Sequence, residues 1–249
     1  MRRYTAIIFL CLFFSFHSVG LAQETAADGS SKEFFEDGTL KSEKTYKNGK
    51  LNGPFREYYP NGKLMSVGEY HNSQLNSVYK SYYENGNIFL EKNFVNGKYH
   101  GLVGEYYESG TPLRIEHYQN DVLEGESQEY YDNGNLKYVM TFHNGKLNGL
   151  SKEFNPDGSF KSEINYRNDL MDGVAKEYSD EGTLYAVWNY KNDLKEGLSK
   201  TFYEDGHVQW VMNFKNGELN GTNKRYSKDG KLLSECLYVN GNKKEGCRE

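Results

Sequence analysis

Aliphatic side chains are in short supply in this 249-residue sequence: 37% is hydrophobic and 15% aromatic. Mean hydropathy is −0.85. That leaves too little aliphatic mass for a thick two-layer core. Basic charge never gathers into a stripe. The 30 Lys+Arg and 35 Asp+Glu are interleaved and give a net charge of −5. Nucleic acid is therefore not an expected partner, and adsorption to an anionic membrane surface is disfavoured on charge. Catalytic constellations are missing as well. His71, His100, His117, His143 and His207 show no metal-ligand spacing. Cys236 and Cys247, without a histidine pair, do not make a zinc site. The glycines sit in hairpins, not between a strand and a helix, so no phosphate cradle is expected. These absences point to a non-enzymatic protein with no cofactor and no metal.

What the sequence has instead is one stretch written nine times at a period of 24 residues. A turn glycine recurs from Gly38 and Gly62 through Gly206 and Gly230. The aromatic four residues before it recurs as Phe34, Tyr58, Tyr82, Tyr106, Tyr130, Phe154, Tyr178, Phe202 and Tyr226. A second aromatic keeps phase from Tyr46 and Tyr70 to Tyr238, and an asparagine from Asn48 and Asn72 to Asn240. A fixed period of this size marks a repeat array. Short strands with tight turns suit a polar, aromatic, glycine-punctuated chain. The expected fold is all-β: an elongated, single-layer, twisted antiparallel meander of about nine hairpin repeats.

Three segments are expected. Residues 1–22 read as a secretory signal peptide, with Arg2 and Arg3 ahead of an apolar run and small residues before a cleavage point after Ala22. Its apolar run is short for a membrane span. Nothing else in the sequence is long or apolar enough to cross a bilayer. Residues 23–31 read as a flexible polar leader, and residues 32–249 as the repeat array. The expected location is outside the cytoplasm, whether periplasmic, surface or secreted.

Within a repeat, Pro60-Asn61-Gly62 fits a three-residue hairpin loop that sets residue 58 opposite residue 64. Lys47-Asn48-Gly49-Lys50-Leu51 reads as a five-residue loop that sets 46 opposite 52. On that register positions 34, 40, 46, 52, 58, 64 and 70 share one face. They form an aromatic–aliphatic spine across about 18 strands, each cross-strand pair contributing roughly 0.2–1 kcal/mol. Pro112 is expected to force a bulge or bend in it. Ser73 and Ser77 replace glycines. Asp121, Asp169 and Asp193 replace the second-loop glycine, a position where aspartate tolerates left-handed geometry. Glu57, Glu105, Glu129, Glu153 and Glu177 recur opposite the spine, where a solvated face outweighs acid–base chemistry. Tyr59, Tyr83, Tyr107, Tyr131 and Tyr203 fall on that same face, either as a packed layer or as a recognition surface.

Two departures from the repeat stand out. Trp188 and Trp210 are the only tryptophans and, with Met140 and Met212, form the candidate binding patch. Near the end Gly246 falls one residue out of phase. Cys236 and Cys247 flank that connection as a candidate disulfide capping the last hairpin; the alternative is two free thiols.

The pattern Asp37-Gly38-Thr39-Leu40, Tyr46, Asn48-Gly49-Lys50-Leu51-Asn52-Gly53 and Glu57-Tyr58-Tyr59 resembles MORN repeats, and more closely the bacterial MORN-variant repeat. The resemblance covers nearly everything after the leader. It implies an elongated twisted sheet of hairpins. Many bacterial members carry an antitoxin label, others are scaffolds, and some eukaryotic relatives are linked to membrane lipids. Together these readings lead to an exported repeat scaffold that binds a protein partner. A surface glycan-binding module and an antitoxin- or immunity-like protein stand as alternatives.

Overall fold

A computed structural model describes residues 27–248; the expected signal peptide lies outside them. The described residues form one open antiparallel sheet of 24 strands and no helix. Each strand pairs with its sequence neighbours, so the path is a meander. The first strand, Gly29–Phe34, begins inside the expected leader.

Two turns alternate. In the first, Gly62 takes φ 80° and donates to the Tyr59 carbonyl at 2.9 Å, while the Tyr59 N–H donates to Lys63 at 2.8 Å. Tyr58 then pairs with Leu64, as expected. A bulge follows immediately, so Glu57 pairs with Ser66 and not with Met65. The same bulge occurs at Tyr106 and Pro112, as in the other repeats. Pro112 therefore adds no break of its own. It opens its strand, at a point where proline is tolerated.

The second turn corrects the sequence reading. Asn48 (φ 51°) and Gly49 (φ 69°) form a two-residue turn that sets Tyr46 opposite Leu51, not residue 52. Left-handed geometry at both central positions is the type I′ hairpin, whose twist matches that of the strands. Asp121, Asp169 and Asp193 hold the second position at φ 66° to 70°. After the turn the register shifts again, so Lys44 faces Phe55. Elsewhere the shift cuts the strand at Asn76, Glu124, Asn148, Glu196 and Asn220. These interruptions raise the strand count above the expected 18 or so. Side chains bridge the gap: Asn93, Asn165 and Asn213 each donate to a carbonyl nine residues on.

The bulge decides the faces. One bulged residue shifts the alternation, and the side chains beyond it change sides. Phe34, Leu40, Tyr58 and Leu64 share the spine face, and the first aromatic series continues along it to Tyr226. Tyr46 and Tyr70 lie on the other face, with Glu57 and Phe55, contrary to the single spine expected. This glutamate face is the more enclosed. Phe55, Ala175, Ala186 and Cys236 are buried on it, beside Ser66, Ser127 and Ser199. Tyr70 and Tyr79 flank Phe55 at 4.9 and 6.3 Å between ring centroids. Gly68 makes room for it, because a Cβ there would stand 2.8 Å from the Phe55 ring.

Candidate functional site

The glutamate face is held together by short side chains and rings, not by a second layer. Tyr59, Tyr83, Tyr107 and Tyr131 each donate the phenolic hydrogen to a backbone carbonyl 23 residues ahead, at 2.6 to 2.9 Å. Tyr203 does the same. These tyrosines are fasteners between successive repeats, a role that neither sequence reading anticipated. Burial first, then nearby carboxylates, raises the Tyr83 and Tyr107 hydroxyls above the usual phenol range. Tyr118 is raised further by burial and by Glu116, to which it donates at 2.9 Å.

Three of the recurring glutamates are neutralised within the sheet. Lys44 lies 3.2 Å from Glu57, Lys137 lies 2.7 Å from Glu129, and Lys161 lies 2.8 Å from Glu153. Glu153 is only 9% exposed and also accepts from Tyr138 and Ser162. On the spine face Glu163 is disfavoured by burial, but hydrogen bonds from Lys176 and Tyr178 outweigh that and hold its carboxyl below the usual range. No group of three or more His, Cys, Asp or Glu among the described residues is placed to hold a metal.

The four residues of the candidate patch all lie on the glutamate face, but not together. Met140 is four strands from Trp188 along one row, roughly 19 Å at about 4.8 Å per strand. It does not belong to the patch. Trp188 and Met212 are two strands apart, separated by the buried Ser199. Each tryptophan instead has its own cation. The Lys195 ammonium sits 3.1 Å from the centroid of the Trp188 ring, and Phe214 meets that ring edge-on at 6.3 Å. Burial lowers the Lys195 pKa, with Glu177 acting against the shift. The Arg225 guanidinium lies 5.5 Å from the Trp210 ring. Beside it is a shallow depression lined by Trp210, Asn223, Arg225, Leu233, Ser234 and Lys243.

Sequence reasoning missed the cations, although the period contains the signal. Positions in phase with Leu51 are Leu75, Tyr99, Leu123, Leu147 and Met171, then Lys195, Leu219 and Lys243. Positions in phase with Glu57 end in Thr201 and Arg225. The Cys236–Cys247 pair is joined as a disulfide, with Cα atoms 4.5 Å apart. Glu235 and Arg248 add a backbone bridge beyond it.

Comparison with known proteins gives one family. Profiles of the MORN repeat variant match nine segments in succession, at residues 27–48, 51–72, 75–96, 99–120, 123–144, 147–168, 171–192, 195–216 and 219–240. No curated protein matches the chain. Among solved structures, the one titled "Crystal Structure of TcdB2-TccC3-Cdc42" is 12% identical at a TM-score of 0.23, over 86% of this chain and 14% of that one. A porin-like protein from Bacteroides uniformis is 12% identical at a TM-score of 0.20, over 87% of this chain and 92% of that one. Scores this low carry no argument, so the architecture rests on the sheet itself. No helix among the described residues is long and apolar enough to cross a membrane. The nine consecutive segments cover most of the sequence, and the chain belongs to the MORN repeat variant family.

Proposed function

We propose that this protein is a non-enzymatic, exported scaffold that binds a protein partner on the C-terminal part of its glutamate face. One observation carries the reading. Trp188 and Trp210 are the only tryptophans, and each stands beside a cation at a position where most earlier repeats hold leucine or glutamate. Aromatic and arginine side chains supply much of the energy at protein interfaces. Repeats of this family serve in general as interaction modules, which supports the same reading. Export is supported by the Arg2-Arg3 start with its apolar run, and by the Cys236–Cys247 disulfide, a bond favoured in oxidising compartments.

The test is site-specific photocrosslinking. A photoreactive residue is placed at Leu233 on the glutamate face, or at Leu198 on the spine face. One protein crosslinked from Leu233, and lost with Trp188→Ala plus Trp210→Ala, is the expected result. A partner captured only from Leu198 moves the interface to the spine face. Envelope glycan recovered with no enriched protein overturns the reading in favour of carbohydrate binding.

A further inference from the structure

The depression beside Trp210 contains a group that the fold does not need. Asn223 is 4% exposed, and its Nδ2 is buried with no hydrogen-bond partner. The amide orientation is set, because Oδ1 accepts from the Asn213 N–H at 2.7 Å. The unused group is therefore a donor. A buried amide N–H left unpaired carries a cost, and among the described residues only the hydroxyls of Ser42 and Ser81 are buried and unpartnered in the same way. Positions in phase with Asn223 are Phe55, Tyr79, Val103, Ser127, Ser151, Ala175 and Ser199, and none of these carries an amide.

The groups around Asn223 share its character. Arg225 stands where Glu57, Glu105, Glu129, Glu153 and Glu177 stand in other repeats. It is exposed, rests over Trp210, and makes no ion pair with any carboxylate among the described residues. Lys243 stands where most repeats have leucine. Ser234 contributes a hydroxyl, and Leu233, 43% exposed, forms an apolar rim. Among the described residues the lining offers a guanidinium, a buried amide donor and the hydroxyls of Ser234 and Tyr238, and no carboxylate. A neutral sugar carries hydroxyls that must donate as well as accept, and the acceptors here are the two hydroxyls of Ser234 and Tyr238. A group that only accepts fits the site, and an ionised carboxylate is one.

We propose that this depression is a binding site for the carboxylate side chain of an acidic peptide segment. The carboxylate takes the Arg225 guanidinium as Arg225 moves off the indole, and the Asn223 amide at the floor. A neighbouring apolar side chain of the segment rests on Leu233 and Trp210. A peptide is favoured over an acidic polysaccharide because the site occurs once, whereas a repetitive polymer would be matched by a site in each hairpin. The proposal rests on the protein-binding reading above and names the chemistry of the partner.

The test uses the full disulfide-bonded protein carrying Trp188→Phe, so that indole fluorescence reports Trp210 alone. The probe is a capped five-residue peptide with one glutamate between two leucines. Its glutamine analogue and a uronate oligosaccharide serve as controls. The expected result is a saturable change with the glutamate peptide, weakened about tenfold or more by the glutamine analogue and by Arg225→Gln. Because Arg225 is exposed, that variant keeps the fold, which circular dichroism checks. Equal binding of the two peptides overturns the proposal. So does indifference to Arg225→Gln, preferential binding of the uronate, or no response up to about 10 mM peptide. Failure here, with a partner still crosslinked from Leu233, removes this carboxylate site and leaves the protein-binding reading in place.

Discussion

The repeats up to residue 194 and those after it share a backbone and differ in what they present. Asn216 and Asn240 take φ 50° and 48°, as Asn48 and Asn72 do at 51° and 50°. Gly206 and Gly230 turn at φ 83°, near the 84° of Gly38. The backbone ladder between successive second turns also reaches the end, with Gly217 and Gly241 each donating at 2.9 Å. What changes is the glutamate face. Its carboxylate row gives way to Thr201 and Arg225, two leucine-phase positions become Lys195 and Lys243, Trp210 occupies a position held earlier by smaller residues, and Asn223 one that earlier carried no amide. Turn and pairing chemistry is repeated because every hairpin needs it. A site needs to be built only once, so it shows up as a departure from the period.

The largest expected contrast lies at a single phase, between Phe55 and Asn223. Phe55 is 3% exposed and packed between two tyrosine rings. Phe55→Ala is expected to cost roughly 3–5 kcal/mol through lost burial and the cavity it leaves. Asn223→Ala loses one hydrogen bond but also removes an unpaired buried donor, so about 1 kcal/mol or less is expected. Urea titration combined with amide exchange in the adjoining strands checks both. Equal costs at the two positions would mean that Asn223 is a packing residue like its counterparts, and the site argument would lose its floor.

The next contrast is between the two ends of the sheet. The strand Gly29–Phe34 is paired on one side only and is exposed throughout, with Phe34 at 58%. The last long strand is backed by the returning chain, locked by the Cys236–Cys247 bond across a separation of 11 residues. A closed loop of this size is worth about 3 kcal/mol in the unfolded-chain picture. Cys236→Ser with Cys247→Ser is expected to raise amide exchange in the strand Leu232–Val239 to the level of Gly29–Phe34, and to leave the central repeats unchanged, since repeat stability is mostly a nearest-neighbour property. Uniform loosening of the whole array would show that the sheet unfolds as one unit.

Much of this was legible in the sequence. The period, the pairing of Tyr58 with Leu64 and the left-handed Asp121, Asp169 and Asp193 all follow from turn chemistry carried by single residue types. The faces did not follow. Asn48-Gly49 is a strong two-residue hairpin signal, but a larger loop absorbed it in the reading. The bulge after each first turn leaves no residue of its own in the pattern, so the two aromatic series were merged into one spine. Met140 was grouped with the tryptophans by chemistry alone, and the strand count between them separates it. Lys195, Arg225 and Asn223 were hidden because the period draws attention to what recurs, and these residues matter where it fails.

The smallest contrast is between repeats that carry the tyrosine fastener and those that do not. Tyr107 donates to the Tyr130 carbonyl at 2.9 Å, whereas Asn155 and Ser179, in the same phase, bond within their own turns. Tyr107→Phe should therefore cost about 1 kcal/mol, the net worth of one half-buried hydrogen bond. The pH dependence distinguishes this loss from a packing effect. The Tyr107 hydroxyl is raised by burial and by neighbouring carboxylates, so the folded protein holds its proton more tightly than the unfolded chain does. An unfolded tyrosine ionises near pH 10. The stabilisation is full below that value and is lost as pH rises toward the higher folded value. The wild-type urea midpoint should fall between about pH 8 and pH 11, and Tyr107→Phe should fall less. Parallel decline of the two proteins would assign the alkaline loss to other tyrosines of the face, with Tyr118 the first to substitute.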